Sequence, residues 1–258
     1  LSLRFFISGL LGIALARMLG QKIQLNKGEW SVVVIIGISQ NAIYLAFNFI
    51  AMQWIEASLA AIIASLLPLV VAAVCWVFLG EKTGLKGLLG LTVGFGGVLV
   101  IMLDKLSGSS ASLGMTLCLI GVAALAGATL YVGRMMSLNK NVVMIVGLQM
   151  LVGSITLFPF SLIFETWRIE LSTSFVLAFL YTTLVPGLFG TLIWFFLVRR
   201  IGPVKAATFH FLNPFFGVLV AAFILSEPLS ISDGIGVTII MAGILLVQLS
   251  RKKLAKEG

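Results

Sequence analysis

The sequence predicts an all-α integral membrane protein, a helical bundle of two inverted-topology repeats with nine transmembrane helices present and a tenth expected upstream of Leu1. Three observations predict it. With 60% hydrophobic residues, 10% charged residues and a mean hydropathy of +1.17, the chain has too little polar surface to cover a water-soluble globule. Apolar runs of membrane-crossing length recur between short turns. Finally, Leu197 to Leu249 lies over Ala51 to Leu103 without a gap at a constant offset of 146 residues, with Pro214 on Pro68, Glu227 on Glu81, and Gly236, Thr238 and Gly243 on Gly90, Thr92 and Gly97. Apolar composition alone produces chance Leu and Ala matches. Pro, Glu and Gly landmarks in one register point to duplication.

About 20 apolar residues suffice to cross a hydrocarbon core of about 30 Å as a helix. Such runs are Leu3 to Leu19, Ser31 to Met52, Ala57 to Leu79, Leu85 to Leu103, Leu113 to Met136, Val142 to Phe164, Ser174 to Val198, Val204 to Leu225 and Ile231 to Leu249. The turns between them carry the breakers: Gly20, Gly80 to Gly84, Ser107 to Ser110, Gly202-Pro203 and Glu227-Pro228. No linker is long enough to separate a soluble domain. Residues 1–104 read as a first repeat lacking its first helix, 113–250 as a second repeat, and 251–258 as a basic tail. That tail is expected to lie against anionic headgroups.

The net charge of +8 would suggest a nucleic-acid partner in a soluble protein. Here the bases cluster at the ends of apolar runs, which is a topogenic pattern, and nucleic acid is discounted. If the C-terminal tail is cytoplasmic, alternate loops place 14 of the 17 bases on that side, leaving Arg4, Lys105 and Arg168 opposite. Six of the nine acids share the opposite side: Glu56, Asp104, Glu165, Glu170, Glu227 and Asp233. A miscounted span would destroy this asymmetry. The expected location is therefore a bacterial inner membrane, multi-pass, with the C-terminus in the cytoplasm. Five helices per half is an odd number, so Glu81 is expected inside and Glu227 outside, with the halves inverted about an axis in the membrane plane.

The doubled block of small-residue helix, mid-helix Pro, Gly-Glu or Ser-Glu, then Gly-rich helix resembles the EamA-type drug/metabolite transporter family. The residues are Pro68, Gly80-Glu81, Gly90 and Gly97, repeated as Pro214, Ser226-Glu227, Gly236 and Gly243. Arg4-Phe5 also resembles the start of the family's second helix, which implies a first one upstream. The resemblance covers the whole chain and is specific for fold but weak for substrate. It implies a ten-helix carrier with a central cavity between the halves that moves amino acids, other metabolites or drugs. One departure is Ser226 where the first half has Gly80, and a missing first helix would remove part of the cavity wall.

Polar groups inside a membrane must find partners or face water, so each is a candidate. His210, the one histidine in the chain, shares a helical face with Ala206, Asn213 and Gly217. Its repeat counterpart is Ala64, and that of Asn213 is Leu67, so the polar character belongs to one half. A ligand site needs such asymmetry. The alternative is a neutral histidine hydrogen-bonded across helices. Asn41, Tyr44 and Asn48 form a second stripe at i, i+3 and i+7, read as cavity lining or as interhelical hydrogen bonding. Trp194 stands at the position equivalent to Asn48, and Tyr131 and Tyr181 lie in neighbouring helices; aromatics also serve as packing or interface anchors. Ser65 belongs with Ser58, Ala61, Pro68 and Ala72 to a small-residue face that permits close helix approach, and it is carried as a candidate solute contact.

Pro68 and Pro214 interrupt their helices at matched positions and are read as hinges or as shapers of a static bundle. Glu81 and Glu227, at helix ends, are read as structural caps. Cys75 and Cys118 lie apart in apolar runs, as small core residues do. The sequence carries no Walker loop, no metal constellation, no carboxylate in the interior of a span, and no nucleophile with a base. No cofactor, no metal and no catalytic residue are expected, and the protein is not read as an enzyme.

The functional expectation is a secondary transporter of a small neutral or zwitterionic organic solute, an amino acid or related metabolite, working by export or exchange through alternating access. The alternative is a drug or lipid-linked-sugar flippase, followed by a membrane-embedded enzyme. Expected partners are the small solute, the bilayer and, through His210, protons; the expected state is monomer or homodimer.

Overall fold

The computed structural model describes residues 1–80, 84–105, 109–135, 141–165, 171–202, 206–224, 226 and 230–257, which form helices joined by short turns and irregular segments. The helices are α1 (Ser2–Met18), α2 (Lys27–Ile36), α3 (Ala46–Ala51), α4 (Ala57–Ala64), α5 (Leu67–Leu79), α6 (Leu85–Lys105), α7 (Ser109–Met135), α8 (Val142–Phe164), α9 (Thr173–Thr182), α10 (Gly190–Ile201), α11 (Leu212–Ile224) and α12 (Ile231–Glu257). π-Helical segments at Gly37–Leu45 and Thr183–Phe189 join α2 to α3 and α9 to α10, and a 3₁₀ turn at Thr208–Phe211 precedes α11. Among the described residues, six helical stretches are long and apolar enough to cross a membrane: Lys27–Ala51, Ala57–Phe78, Ala111–Val132, Val142–Phe164, Thr173–Ile201 and Ile231–Ser250. Leu85–Ile101 is a shorter apolar helix. The protein is an integral, multi-pass membrane protein.

Local chemistry explains where several helices begin and end. Helix α2 starts before the apolar run because Asn26 and Glu29 form a capping box: the Asn26 N–H donates to Glu29 Oε2 at 2.6 Å and the Glu29 N–H to Asn26 Oδ1 at 2.9 Å. Helix α1 stops in a Schellman turn, in which Gln21 N–H donates to Ala16 O and Gly20 N–H to Arg17 O, with Gly20 at φ +74°. Helix α12 runs past Leu249 to Glu257, since the basic tail contains good helix formers and no breaker before Gly258.

The chain divides into two compact units, and each contains segments of both sequence repeats: Leu1–Ala46 with Ala128–Ala206, and Phe47–Gly127 with Ala207–Gly258. In the first, α8 is central. Val142 to Val146 and Met150 are buried together with Val32, Val33, Ile36, Leu188, Leu192 and Phe195, which accounts for a helix apolar on every side. In the second, Ile62, Ile63, Leu66, Leu67 and Leu69 are buried, α4 packs on α11, and α6 packs on α12.

The α6–α12 contact shows how the repeats relate. A Cβ on Gly90 would lie 2.7 Å from the carbonyl oxygen of Gly243, and one on Gly97 would lie 2.9 Å from that of Gly236. Moving forward along α6 therefore means moving backward along α12, so the helices are antiparallel. Because Gly90 and Gly236 are repeat equivalents, as are Gly97 and Gly243, the two contacts exchange under a two-fold operation. Helices α1 and α8, also equivalent, are antiparallel in the first unit: Ser2 Oγ donates to Ser154 O at 3.0 Å, while Gly12, further along α1, abuts Gly147, further back along α8. Equivalent helices running in opposite directions make the repeat an inverted one.

Irregular backbone is repeated too. Thr183–Phe189 lies 146 residues beyond the start of Gly37–Leu45. The span Ala57 to Leu79 breaks at Ser65-Leu66, where Leu66 N–H turns back to Ile63 O, because Pro68 has no N–H to donate to Ala64. Its counterpart is the 3₁₀ turn at Thr208–Phe211, with Pro214 third in α11. Gly80 ends α5 at φ +63°, and its counterpart Ser226 adopts φ +56°. The left-handed turn is thus kept where glycine is not, at a cost of about 1–2 kcal/mol for a residue with a Cβ. Glu81 and Glu227 lie outside the described residues.

The glycine seam makes a direct prediction. A Cβ on Gly243 would sit 2.4 Å from the backbone nitrogen of Gly94, whereas one on Gly96 meets nothing within 4 Å. Gly243→Ala is expected to destabilise by about 1–3 kcal/mol through backbone displacement, and Gly96→Ala to stay within about 0.5 kcal/mol of wild type. Denaturation in mixed micelles measures both.

Candidate functional site

The candidate residues resolve into local groups. In the first unit, Asn41 occupies the π-helical segment and is 1% exposed. Its Nδ2 donates to Gln149 Oε1 at 2.8 Å and to the Gln149 carbonyl at 3.3 Å. Gly153, one turn on in α8, makes room: a Cβ there would come within 2.5 Å of the Asn41 Cβ. Gln149 is fully buried, and its Nε2 has no hydrogen-bond partner among the described residues. The buried amide pair therefore leaves a donor unmatched, a deficit of about 1–3 kcal/mol. Tyr131 is hydroxyl-bonded to Ser31 Oγ at 2.6 Å, and Trp194 packs at the edge of the buried cluster around α8. Tyr44 is half-buried.

In the second unit, Asn48 Oδ1 accepts from Cys118 Sγ at 3.5 Å. The expected single stripe of Asn41, Tyr44 and Asn48 assumed 3.6 residues per turn. A π-helix closes i→i+5 bonds and holds more residues per turn. Through Gly37–Leu45 the spacing i, i+3, i+7 thus stops marking one face, and Asn41 and Asn48 meet different neighbours. Ser65, fully buried, donates to Ile62 O at 2.6 Å, which helps to close α4 ahead of the Pro68 break.

His210 and Asn213 are brought together. Asn213 Nδ2 lies 3.0 Å from His210 Nδ1. An amide nitrogen can only donate, so with the amide in this orientation Nδ1 accepts and a neutral ring carries its proton on Nε2. The 3₁₀ turn at Thr208–Phe211 sets this geometry, placing i and i+3 over one another. The pair presents hydrogen-bonding chemistry without formal charge.

Two polar positions escaped the sequence reading. Gln149 is a polar residue within an apolar span, the signal that flagged the asparagines, and its fixed pairing to Asn41 depends on tertiary contact. Thr183, in the second π-segment, is fully buried, and its carbonyl accepts from Ser8 Oγ at 2.8 Å. Arg4, read as a topogenic charge and, with Phe5, as the opening of a family helix, is buried with its guanidinium 5.5 Å from the Phe5 ring centroid.

Comparison with known proteins agrees with this architecture. An uncharacterized transporter of Bacillus subtilis, YvbV, is 27% identical over 97% of this chain and 82% of its own length. An uncharacterized transporter of Archaeoglobus fulgidus is 27% identical over 95% and 86%, and a chloroplastic WAT1-related protein of Arabidopsis thaliana is 25% identical over 95% of this chain and 61% of its own. A solved crystal structure superposes with a TM-score of 0.72 over 97% of this chain and 87% of that one at 18% identity, which marks a shared fold. The EamA-like transporter family matches the chain twice, at residues 1–103 and 112–249, and the protein belongs to that family.

Proposed function

We propose that this membrane transporter is a secondary carrier for a small neutral or zwitterionic organic solute, an amino acid or related metabolite, moved by export or exchange through alternating access. The observation that carries the reading is the His210–Asn213 pair. It offers hydrogen-bonding groups in the second repeat where the first has Ala64 and Leu67. The backbone landmarks of the scaffold, Pro68 with Pro214 and Gly90 and Gly97 with Gly236 and Gly243, repeat without requiring this difference. A solute with one polar end does require it. The uncharged character of the pair suits a neutral or zwitterionic ligand, since a net charge would require a partner of opposite sign in a dry setting.

Paired backbone breaks support alternating access. Pro68 and Pro214 stand beside interruptions in equivalent spans of opposite direction, so a bend at one and a straightening at the other would exchange inward-open and outward-open forms. Asn41, Tyr44, Asn48, Ser65, Tyr131 and Trp194 are proposed as further solute contacts, reached when these spans move. The bias of bases toward one side supports a cytoplasmic C-terminus and a bacterial inner-membrane location.

Proteoliposomes test the reading. The intact protein is expected to drive counterflow of at least one amino acid or related metabolite above empty vesicles, and His210→Ala to lower that flux at least about tenfold, equivalent to about 1.4 kcal/mol, with little change in melting temperature. No flux across an amino-acid panel would remove the amino-acid reading, and full activity of His210→Ala would move the site elsewhere. A pH gradient that leaves flux unchanged would remove proton coupling through His210. Separately, a double-mutant cycle on Asn41→Ala and Gln149→Ala is expected to give a stability coupling of about 0.6–1.7 kcal/mol, read from denaturation in micelles.

A further inference from the structure

At the end of α1 lies an open cavity of about 520 Å³ bordered by Arg17, Gln21, Lys22, Ile23 and Gln24. Its size is within the roughly 300–1,000 Å³ of small-ligand sites. Its side chains are richer in donors than in acceptors, although Gln24 offers both. Arg17 and Lys22 can only donate hydrogen bonds, and among the described residues neither is ion-paired. The acid closest in sequence, Glu29, is engaged with the Asn26 backbone in the cap of α2. Gln21 would ordinarily offer both an acceptor and donors, but its Oε1 accepts the backbone N–H of Met144 at 3.0 Å. Its Nε2 donors are what remain for the cavity. Among the described residues, no carboxylate borders the space.

The wall is also held in place. The Schellman turn fixes the Gln21 backbone through Ala16 O and closes on Arg17 O through Gly20. The Gln21 side chain ties that turn to α8. Two cations and the Gln21 donors border the cavity beside the Gln24 amide, with no acid among the described lining residues, and such a lining is complementary to an acceptor-rich anion. Bidentate guanidinium contact and a mobile ammonium match phosphate oxygens.

We propose that this cavity binds a phosphate group, either the phosphodiester of an anionic lipid headgroup or a free phosphate anion. Ile23 provides an apolar rim for a glycerol or acyl portion in the lipid case. The proposal does not depend on the solute reading.

The test uses the full chain in phosphatidylcholine nanodiscs and follows its melting temperature in two arms: increasing phosphatidylglycerol, and inorganic phosphate at matched ionic strength. Near 100 times the dissociation constant, a rise of roughly 5 °C is expected in at least one arm. A rise with phosphatidylglycerol alone identifies a lipid headgroup, a rise with phosphate alone identifies a soluble ligand, and a rise in both identifies a site open to either. The rise should be lost in R17Q/K22Q and in Gln21→Glu, which keeps an acceptor for Met144 while replacing the donors. It should persist in R199Q/R200Q, which removes the same charge elsewhere. No rise in either arm, or an equal rise in R17Q/K22Q and wild type, would overturn the proposal. A loss as large in R199Q/R200Q would also overturn it, because net charge rather than this cavity would then be responsible.

Discussion

Inside hydrocarbon no water is available to a backbone amide or carbonyl, so each must be satisfied within its own helix or by a neighbour. The rest of the structure follows from where that requirement is met and where it is locally relaxed. Regular helix carries the lipid-facing and packing surfaces. The relaxations are few and placed in pairs: the π-segments at Gly37–Leu45 and Thr183–Phe189, and the breaks before Pro68 and Pro214. Polar side chains gather at these places. Asn41 and Tyr44 lie in one π-segment, Thr183 begins the other, Ser65 closes α4, and His210 with Asn213 spans the 3₁₀ turn into α11. Irregular backbone exposes carbonyls and shifts side-chain phase, and polar groups nearby can answer both. The elements that loosen a helix therefore coincide with several of the polar side chains proposed as solute contacts.

Duplication divides the work between symmetric and asymmetric positions. Backbone-to-backbone approach of Gly90 and Gly97 on Gly243 and Gly236 is exchanged by the two-fold relation, and the left-handed turn at Gly80 is repeated even by Ser226. These positions build the scaffold twice, once in each direction. Several polar groups in the spans do not repeat. Asn41 corresponds to Gly187, Gln149 to Leu3, His210 to Ala64 and Asn213 to Leu67. Equivalent positions are what a two-fold-related scaffold requires, and the polar positions depart from that equivalence.

Much of this was legible in the amino-acid sequence, because its causes are local or periodic. Hydropathy sets the helical spans, since a run of about 20 apolar residues has few alternatives in a bilayer. The 146-residue register of Pro, Glu and Gly revealed the duplication, and the parity of spans implied inversion, which the antiparallel α6–α12 and α1–α8 contacts display directly. Glycine at Gly20 and Gly80 marked helix ends because a positive φ is least costly there. Tertiary structure alone decided which polar groups meet. The π-helical phase of Gly37–Leu45 parted Asn41 from Asn48 and gave Asn41 to Gln149, although a 3.6-residue rule placed the two asparagines on one face. Likewise Gln21 reaches Met144 across more than a hundred residues of chain, and only that contact turns an ambivalent amide into a donor beside Arg17 and Lys22. Periodicity reports how a helix faces its surroundings, but the partner of a buried hydrogen bond is set by which helix stands opposite, and no local pattern encodes that.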